Sequence, residues 1–296
     1  MFTTQRNNPR VSIHLSVLHL RMIGLVVFFI LTLLTGCATR TLLVTERTQV
    51  TRYPIGSKNG PVVFIPPGKV GSIHKVQIVK QHVFALTTQF LVIMDLQGQI
   101  QEQISLPAEA GHIIDFAVLP AGDFALFDNR RDHVYFIDST GIVKTSVPLP
   151  EADEQLQGMC GIVVGNRLVF TGGDIRRILQ IDLDTYEISV FKDLSYLPMP
   201  SSGRLAYSER VYYLCLLKKV YSFRSADDTP KLVAELPEGY IMEMKIAGNI
   251  AFLAVNGMIG SEDRIGSVYE LNLKSGAYEK IVMNLERPSD LELIDS

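Results

Sequence analysis

Residues 128 to 141 read DNRRDHVYFIDSTG, and Asp128, Asn129, Arg130, Arg131, Asp132 and His133 crowd together ahead of an apolar run. Carboxylates beside a histidine and an amide are the parts of acid–base and cation sites, and adjacent arginines are the parts of an anion site. Other chemistries find no footing. Ser201-Ser202-Gly203 lacks the G-x-S-x-G context of a nucleophile elbow, and no HExxH, CxxC or GxxxxGK[ST] pattern occurs. His74, His82, His112 and His133 are scattered, without metal-ligand spacing.

The elements that must position these residues are short strands. Beyond residue 38 the chain alternates runs rich in Val, Ile, Tyr, Phe and Leu with Gly, Asn, Asp and Pro punctuation, and no stretch has helical periodicity. One unit recurs: LVIMDLQGQI (91–100), VYFIDSTGIV (134–143), ILQIDLDTYEI (178–188), VYSFRSADD (220–228) and VYELNLKSGAY (268–278). Each is an alternating strand, then a polar residue, then a turn. Asp95, Asp138, Asp182, Arg224 and Asn272 mark the register, at spacings of 43, 44, 42 and 48 residues. A period of ~40–50 with about four strands per unit is the pattern of propeller blades. Five units span 71–286, and the ends, 39–70 and 287–296, together make up one more period. The expected fold is therefore all-β: a six-bladed propeller of four-stranded antiparallel blades, the sixth closed by N- and C-terminal strands, which leaves no outer gap in the ring.

DNRRDHVYFIDSTG resembles the NHL-type repeat, whose recurring core is Asp, Asn, a basic residue, then a strand leading to Asp and Gly; GGDIRRILQIDLDT is a weaker copy. That resemblance implies a propeller and leaves function to the site. The N-terminus carries a second one. Arg6, Arg10 and Arg21 precede the apolar run 22–34, too short to span a bilayer, and Leu-Thr-Gly-Cys ends at Cys37. This resembles the lipobox of bacterial lipoproteins, which implies cleavage of 1–36, lipidation of Cys37 and a single propeller domain over 37–296. Ala38, a non-Asp residue after the cysteine, implies outer-membrane sorting in such proteins, with the domain in the periplasm or on the surface. Without 1–36 the chain has 25 basic and 31 acidic residues, an imbalance that argues against nucleic acid as a partner. Cys160 and Cys215 lie in apolar stretches and read as buried thiols, with a disulfide permitted outside the cytoplasm.

The repeat reassigns the opening cluster to a loop between the second and third strands of a blade. Arg176, Arg177 and Arg264 recur at that place, so Arg130, Arg131, Arg176, Arg177 and Arg264 form a basic rim, in which Arg131 stands ready to pair with Asp128 or Asp132. Counting back 13 or 14 residues from the end of each second strand reaches the innermost strands at His74, Asp115, Met159 or Cys160, Arg204 and Glu243; the C-terminal strand adds Asp290. Asn129 and Asn256, at ends of second strands, complete the channel-lining set.

Such a ring has two readings. In one it is a hydrated polar channel, and the protein is a non-catalytic binding or scaffold module for a protein, peptide or glycan, with no cofactor. The alternative follows the gluconolactonase and senescence-marker propellers. That resemblance implies a Ca or Mg ion on Asp115, Glu243 and Asp290, with Asn129 and Asn256, serving a lactonase or esterase. The long segment 257–266, GMIGSEDRIG, is a further recognition loop.

Overall fold

The segments 83–86, 124–127 and 251–255 are apolar at every position, and a strand of that kind needs cover on both faces. In the computed structural model they are second strands of four-stranded antiparallel sheets. The structure describes residues 40–46, 49–150, 160–171, 177–197, 203–257 and 265–294. Six sheets form a β-propeller, with no helix among the described residues.

The chain begins with β1 (Thr41–Glu46), β2 (Gln49–Pro54) and β3 (Val62–Ile65). Blade 1 comprises β4 (Ile73–Val79), β5 (His82–Thr87), β6 (Phe90–Asp95) and β7 (Ile100–Ser105). Blade 2 comprises β8 (Ile113–Val118), β9 (Phe124–Asp128), β10 (His133–Ile137) and β11 (Val143–Pro148). Blade 3 comprises β12 (Cys160–Val164), β13 (Arg167–Thr171), β14 (Arg177–Asp182) and β15 (Ile188–Asp193). Blade 4 comprises β16 (Arg204–Ser208), β17 (Val211–Leu216), β18 (Lys219–Phe223) and β19 (Lys231–Glu235). Blade 5 comprises β20 (Tyr240–Ala247), β21 (Ile250–Asn256), β22 (Ile265–Asn272) and β23 (Tyr278–Glu286). The last strand, β24 (Asp290–Ile294), pairs antiparallel with β1 and supplies the inner strand of blade 6, as the composite sixth unit requires.

Packing explains why the second strands are apolar throughout. Alternate side chains of a strand face opposite sides, so each blade feeds two interfaces. Val83 and Ala85 of β5 join Leu43, Val50 and Ile65 of blade 6, whereas Phe84 and Leu86 join Phe116, Phe124 and Leu126 of blade 2. Ala125 and Phe127 of β9 face Leu168 and Phe170 of blade 3, and Val169 of β13 faces Leu205 and Leu214 of blade 4. The remaining interfaces join blades 4 and 5 through Cys215 and Leu253, and blades 5 and 6 through Phe252 and Leu42. Six apolar clusters thus sit at six blade-to-blade interfaces. The ring is closed.

The repeating Asp has a local cause. Asp138 Oδ1 accepts the N–H groups of Thr140 and Ile142 at 2.9 and 3.0 Å, and Gly141 completes the turn at φ 90°. Asp95, Asp182 and Asn272 make the same side-chain turn before the fourth strand. Arg224 cannot, and Asp228 Oδ2 accepts its N–H instead, at 2.9 Å. Cys160 and Cys215 are buried free thiols. Cys37, Met159, Arg176 and Arg264 lie outside the described residues.

Gly161 of β12 tests the packing between blades 2 and 3. A Cβ there would lie 2.1 Å from Cζ of Phe127, which is fully buried and packs tilted against Phe170 with ring centroids 5.4 Å apart. Gly161→Ala is expected to cost ~1–3 kcal/mol, read as a melting temperature lower by ~2–4 °C per kcal/mol. An unchanged melting curve would refute this packing.

Candidate functional site

The inner strands β4, β8, β12, β16, β20 and β24 each end a sheet, so each turns an open edge toward the axis, where each contacts its neighbours in sequence around the ring. Buried N–H groups on such an edge need acceptors. The chain supplies carboxylates. Asp115 Oδ1 accepts the N–H of Phe116 at 2.8 Å, and its Oδ2 accepts that of Gly161, in the next blade, at 3.3 Å. Across the closure, Asp290 accepts the N–H of Val76 and Glu292 that of Ile78 at 3.3 Å, both in blade 1. Glu243 Oε1 accepts the N–H of Met244 at 2.9 Å.

Pairing shifts at Ile73/Lys75, Ile113/Asp115 and Ile241/Glu243 place a bulge at the same point in three inner strands. Bulges re-aim the residue that follows, and here those residues are Lys75, Asp115 and Glu243. The ammonium of Lys75 is hydrogen-bonded to Glu243 and lies 3.6 Å from both Asp115 Oδ1 and Asp290 Oδ1. All four are at least nine-tenths buried. Beside them, Lys245 pairs with Glu292 at 3.2 Å, and the Arg204 guanidinium donates to the carbonyl of Met242 in the next blade.

Asp115, Glu243, Asp290 and Arg204 therefore meet at the axis. His74 does not join them. Its ring lies edge-on to His112 at 5.7 Å and faces Thr88 Oγ1 at 3.5 Å, while His112 Nδ1 contacts Asn129 Oδ1 at 2.9 Å. His74 and Asn129 thus belong to the mouth where the inner strands begin, not to the charged tier. The misplacement of His74 is one residue, the width of a bulge; an interval of 13 from Thr88, which the sequence pattern gives as the end of that second strand, reaches Lys75. Asn256 borders a separate cavity of about 190 Å³ with Glu238 and Lys280, and its Oδ1 is buried without a hydrogen-bond partner among the described residues. Three carboxylates converge as a cation site would need, but on the lysine's own ammonium. Among the described residues no group of three or more His, Cys, Asp or Glu is arranged to hold a metal ion.

Charges in this tier shape one another. Burial pushes the Asp290 carboxyl up to about 7, and Glu243 adds to that rise against the pull of Lys75 and Lys245. Asp115 is also raised, by burial first. Glu243 goes the other way, to about 2, because Lys75, Lys245 and Arg204 outweigh its burial. Burial, with Glu243, lifts the Cys160 thiol to about 11 and removes it as a nucleophile at neutral pH.

The rim cluster resolves differently. Asp128 is fully buried and accepts the N–H groups of Gly111, His112, Arg130 and Arg131. Burial alone would raise its pKa; the four N–H groups lower it. Its carboxylate is a loop brace, not a partner for guanidinium. Arg130, Arg131 and Arg177 are exposed.

The sequence matches no known protein-family model and no curated protein. Shape tells more. A chain in the crystal structure of a nidogen/laminin complex superposes on 86% of this chain and 98% of its own, with a TM-score of 0.64 and 11% identity. A protein of unknown function from Bacteroides caccae does so over 87% and 100%, with a TM-score of 0.62 and 10% identity. The likeness is one of fold.

Lys75→Met would leave three buried carboxylates without their shared cation. A loss of ~3–5 kcal/mol is expected, with partial recovery on adding Glu243→Gln; chemical denaturation measures both. For Asp290 the sign follows from its raised pKa. Between ~4, the unfolded value, and about 7 the folded state holds a proton that the unfolded chain has lost. Stability therefore falls as pH rises through that window. Glu243 contributes in the opposite sense, its stabilisation being lost only as pH drops from ~4.3 toward about 2. His74, lowered by burial and by His112, also opposes the trend. Comparison with Asp290→Asn isolates the effect: the melting temperature should fall further between pH 5 and pH 8 in the parent than in the variant. Parallel curves would refute it.

Proposed function

We propose that the protein is a non-catalytic binding or scaffold propeller, tethered to the bacterial envelope by a lipid on Cys37 and carrying degenerate NHL-like repeats. The observation that supports it is the internal consumption of the axial acids. Asp115, Glu243 and Asp290 face Lys75 and accept inner-strand N–H groups, with Asp290 Oδ1 alone lacking a hydrogen bond among the described residues, so the tier that most resembles a catalytic centre holds the blades together. Function then passes to the surface, as it does on many rigid scaffolds.

The rim at the starting ends of the inner strands is the binding face in this reading. Arg130 and Arg131 stand exposed there, their backbone held by Asp128 while their guanidinium groups make no ion pair among the described residues. A protein partner is favoured over a glycan, because a propeller of similar shape occurs within a nidogen/laminin complex. The lipobox-like Leu34-Thr35-Gly36-Cys37 followed by Ala38 supports an outer-membrane tether.

Fractionation tests the tether: the parent protein should partition with membranes and Cys37→Ser with the soluble fraction, and a soluble parent would refute it. Calcium or magnesium titration tests the axial argument. Millimolar ion should leave the melting temperature unchanged, whereas a saturable rise would revive the metal-dependent hydrolase.

A further inference from the structure

The two ends of the ring differ in what they expose. Strands of a blade run alternately, so the inner strands finish, and the fourth strands start, at the end opposite the arginine rim. Thr41 enters the ring at that same end, where it pairs with Ile294 of β24. Exposed apolar side chains gather there too. Val62 is 62% exposed, Ile142 66% and Leu232 54%, and Ile100, Tyr207 and Tyr278 are also exposed. Val62, Ile100, Leu232 and Tyr278 lie at or next to the start of a fourth strand, Ile142 in the turn before one, and Tyr207 near the finish of the inner strand β16. Single apolar residues scattered over a surface are ordinary. Their recurrence at one level in blades 6, 1, 2, 4 and 5 makes a ring instead.

A lipid on Cys37 would be held close to this end. Three residues, 38–40, separate Cys37 from Thr41, and an extended chain covers ~14 Å at most over that interval. The rim lies a strand length away, ~20 Å for the six residues of β1. The linker therefore cannot carry the anchor to the rim. Apolar side chains at the level of the anchor are what a lipid interface takes up, since interfacial binding scales with buried apolar area. Tyr207 and Tyr278 suit the same boundary, with one end of the ring apolar and the other wet. Charge does not select an anionic surface: Lys80 and Lys274 stand exposed at this end, and so do Asp184 and Glu209.

Resting on the lipid-tether reading, we propose that the propeller lies flat on the bilayer, its Thr41 end seated at the lipid interface and its arginine rim turned away from the membrane. The two surfaces then have separate partners. The apolar ring meets lipid, and the rim stays open to a protein.

The chain contains no tryptophan, so a single introduced one reports its own surroundings. Residues 37–296 hold the whole closed ring and are coupled through the Cys37 thiol to a maleimide lipid in phosphatidylcholine vesicles; Cys160 and Cys215 are buried. Bromines on the lipid acyl chains quench indole emission only at short range. Ile142→Trp in blade 2 and Leu232→Trp in blade 4 should lose at least half their emission to brominated lipid and shift to shorter wavelength. Arg130→Trp should lose none. All these positions are exposed, and melting curves check that each variant is folded. Quenching of Val62→Trp alone, in the blade that Thr41 enters, would mean a ring standing on its edge. Quenching of none, or of Arg130→Trp as strongly as the others, would mean that no face is seated. Each of these three outcomes overturns the proposal. Chemical coupling bypasses cellular lipidation, so a parent protein that fractionates as soluble removes the natural tether, whereas unquenched variants on coupled vesicles remove the seated face.

Discussion

Six strand edges converge on one axis, and their buried, unpaired N–H groups must find acceptors. The other features of the centre follow from that demand. Carboxylates from neighbouring blades answer it: Asp115 reaches Gly161, and Asp290 and Glu292 reach Val76 and Ile78. Acids drawn so close repel one another, and the ammonium of Lys75 offsets the repulsion. Because burying ions is costly unless they are paired and hydrogen-bonded, the tier is stable only as a complete set. It therefore works as a blade-to-blade clamp, with the apolar clusters at the six interfaces forming the larger body around it.

Much of this was legible in the amino-acid sequence, for a physical reason. A strand covered on both faces is apolar throughout, and a side-chain-capped turn needs Asp or Asn at one point, so the period and the register of Asp95, Asp138, Asp182 and Asn272 show directly. The composite blade follows from arithmetic on the two ends. Asp115 and Glu243 could be found as well, because inner strands sit at a near-constant distance from the second-strand ends, and Asp290 falls on the C-terminal strand that must serve as the sixth inner strand. Lys75 could not be fixed in that way. A bulge shifts a strand by one residue without a compositional mark, and counting placed His74 where Lys75 belongs. The partnership among acids from three blades is also invisible along the chain, since residues 75, 115, 243 and 290 meet only when the ring closes.

The cluster at 128–132 carries a related lesson. Asp128 sits among arginines and a histidine, and proximity in sequence invites an ion pair. Folding instead turns its carboxylate onto four backbone N–H groups from two loops. Local charge density was real, but the backbone, whose donors appear in no composition count, took the acid. The guanidinium groups are left outward on a braced loop, where they can be read by another molecule.

The closure of blade 6 also sets an order of events. β1 is made early and lies between β24 and β2, so its inner edge stays bare until Asp290–Ile294 arrives. The same five residues bring Asp290 and Glu292, which join the final blade to the first. A chain that emerges from its N-terminus, whether from a ribosome or through a membrane pore, can assemble five blades yet cannot lock the ring. β24, which follows the other strands of the ring along the chain, thus acts as the latch, and a chain interrupted shortly before it would carry an open strand edge available to a neighbour.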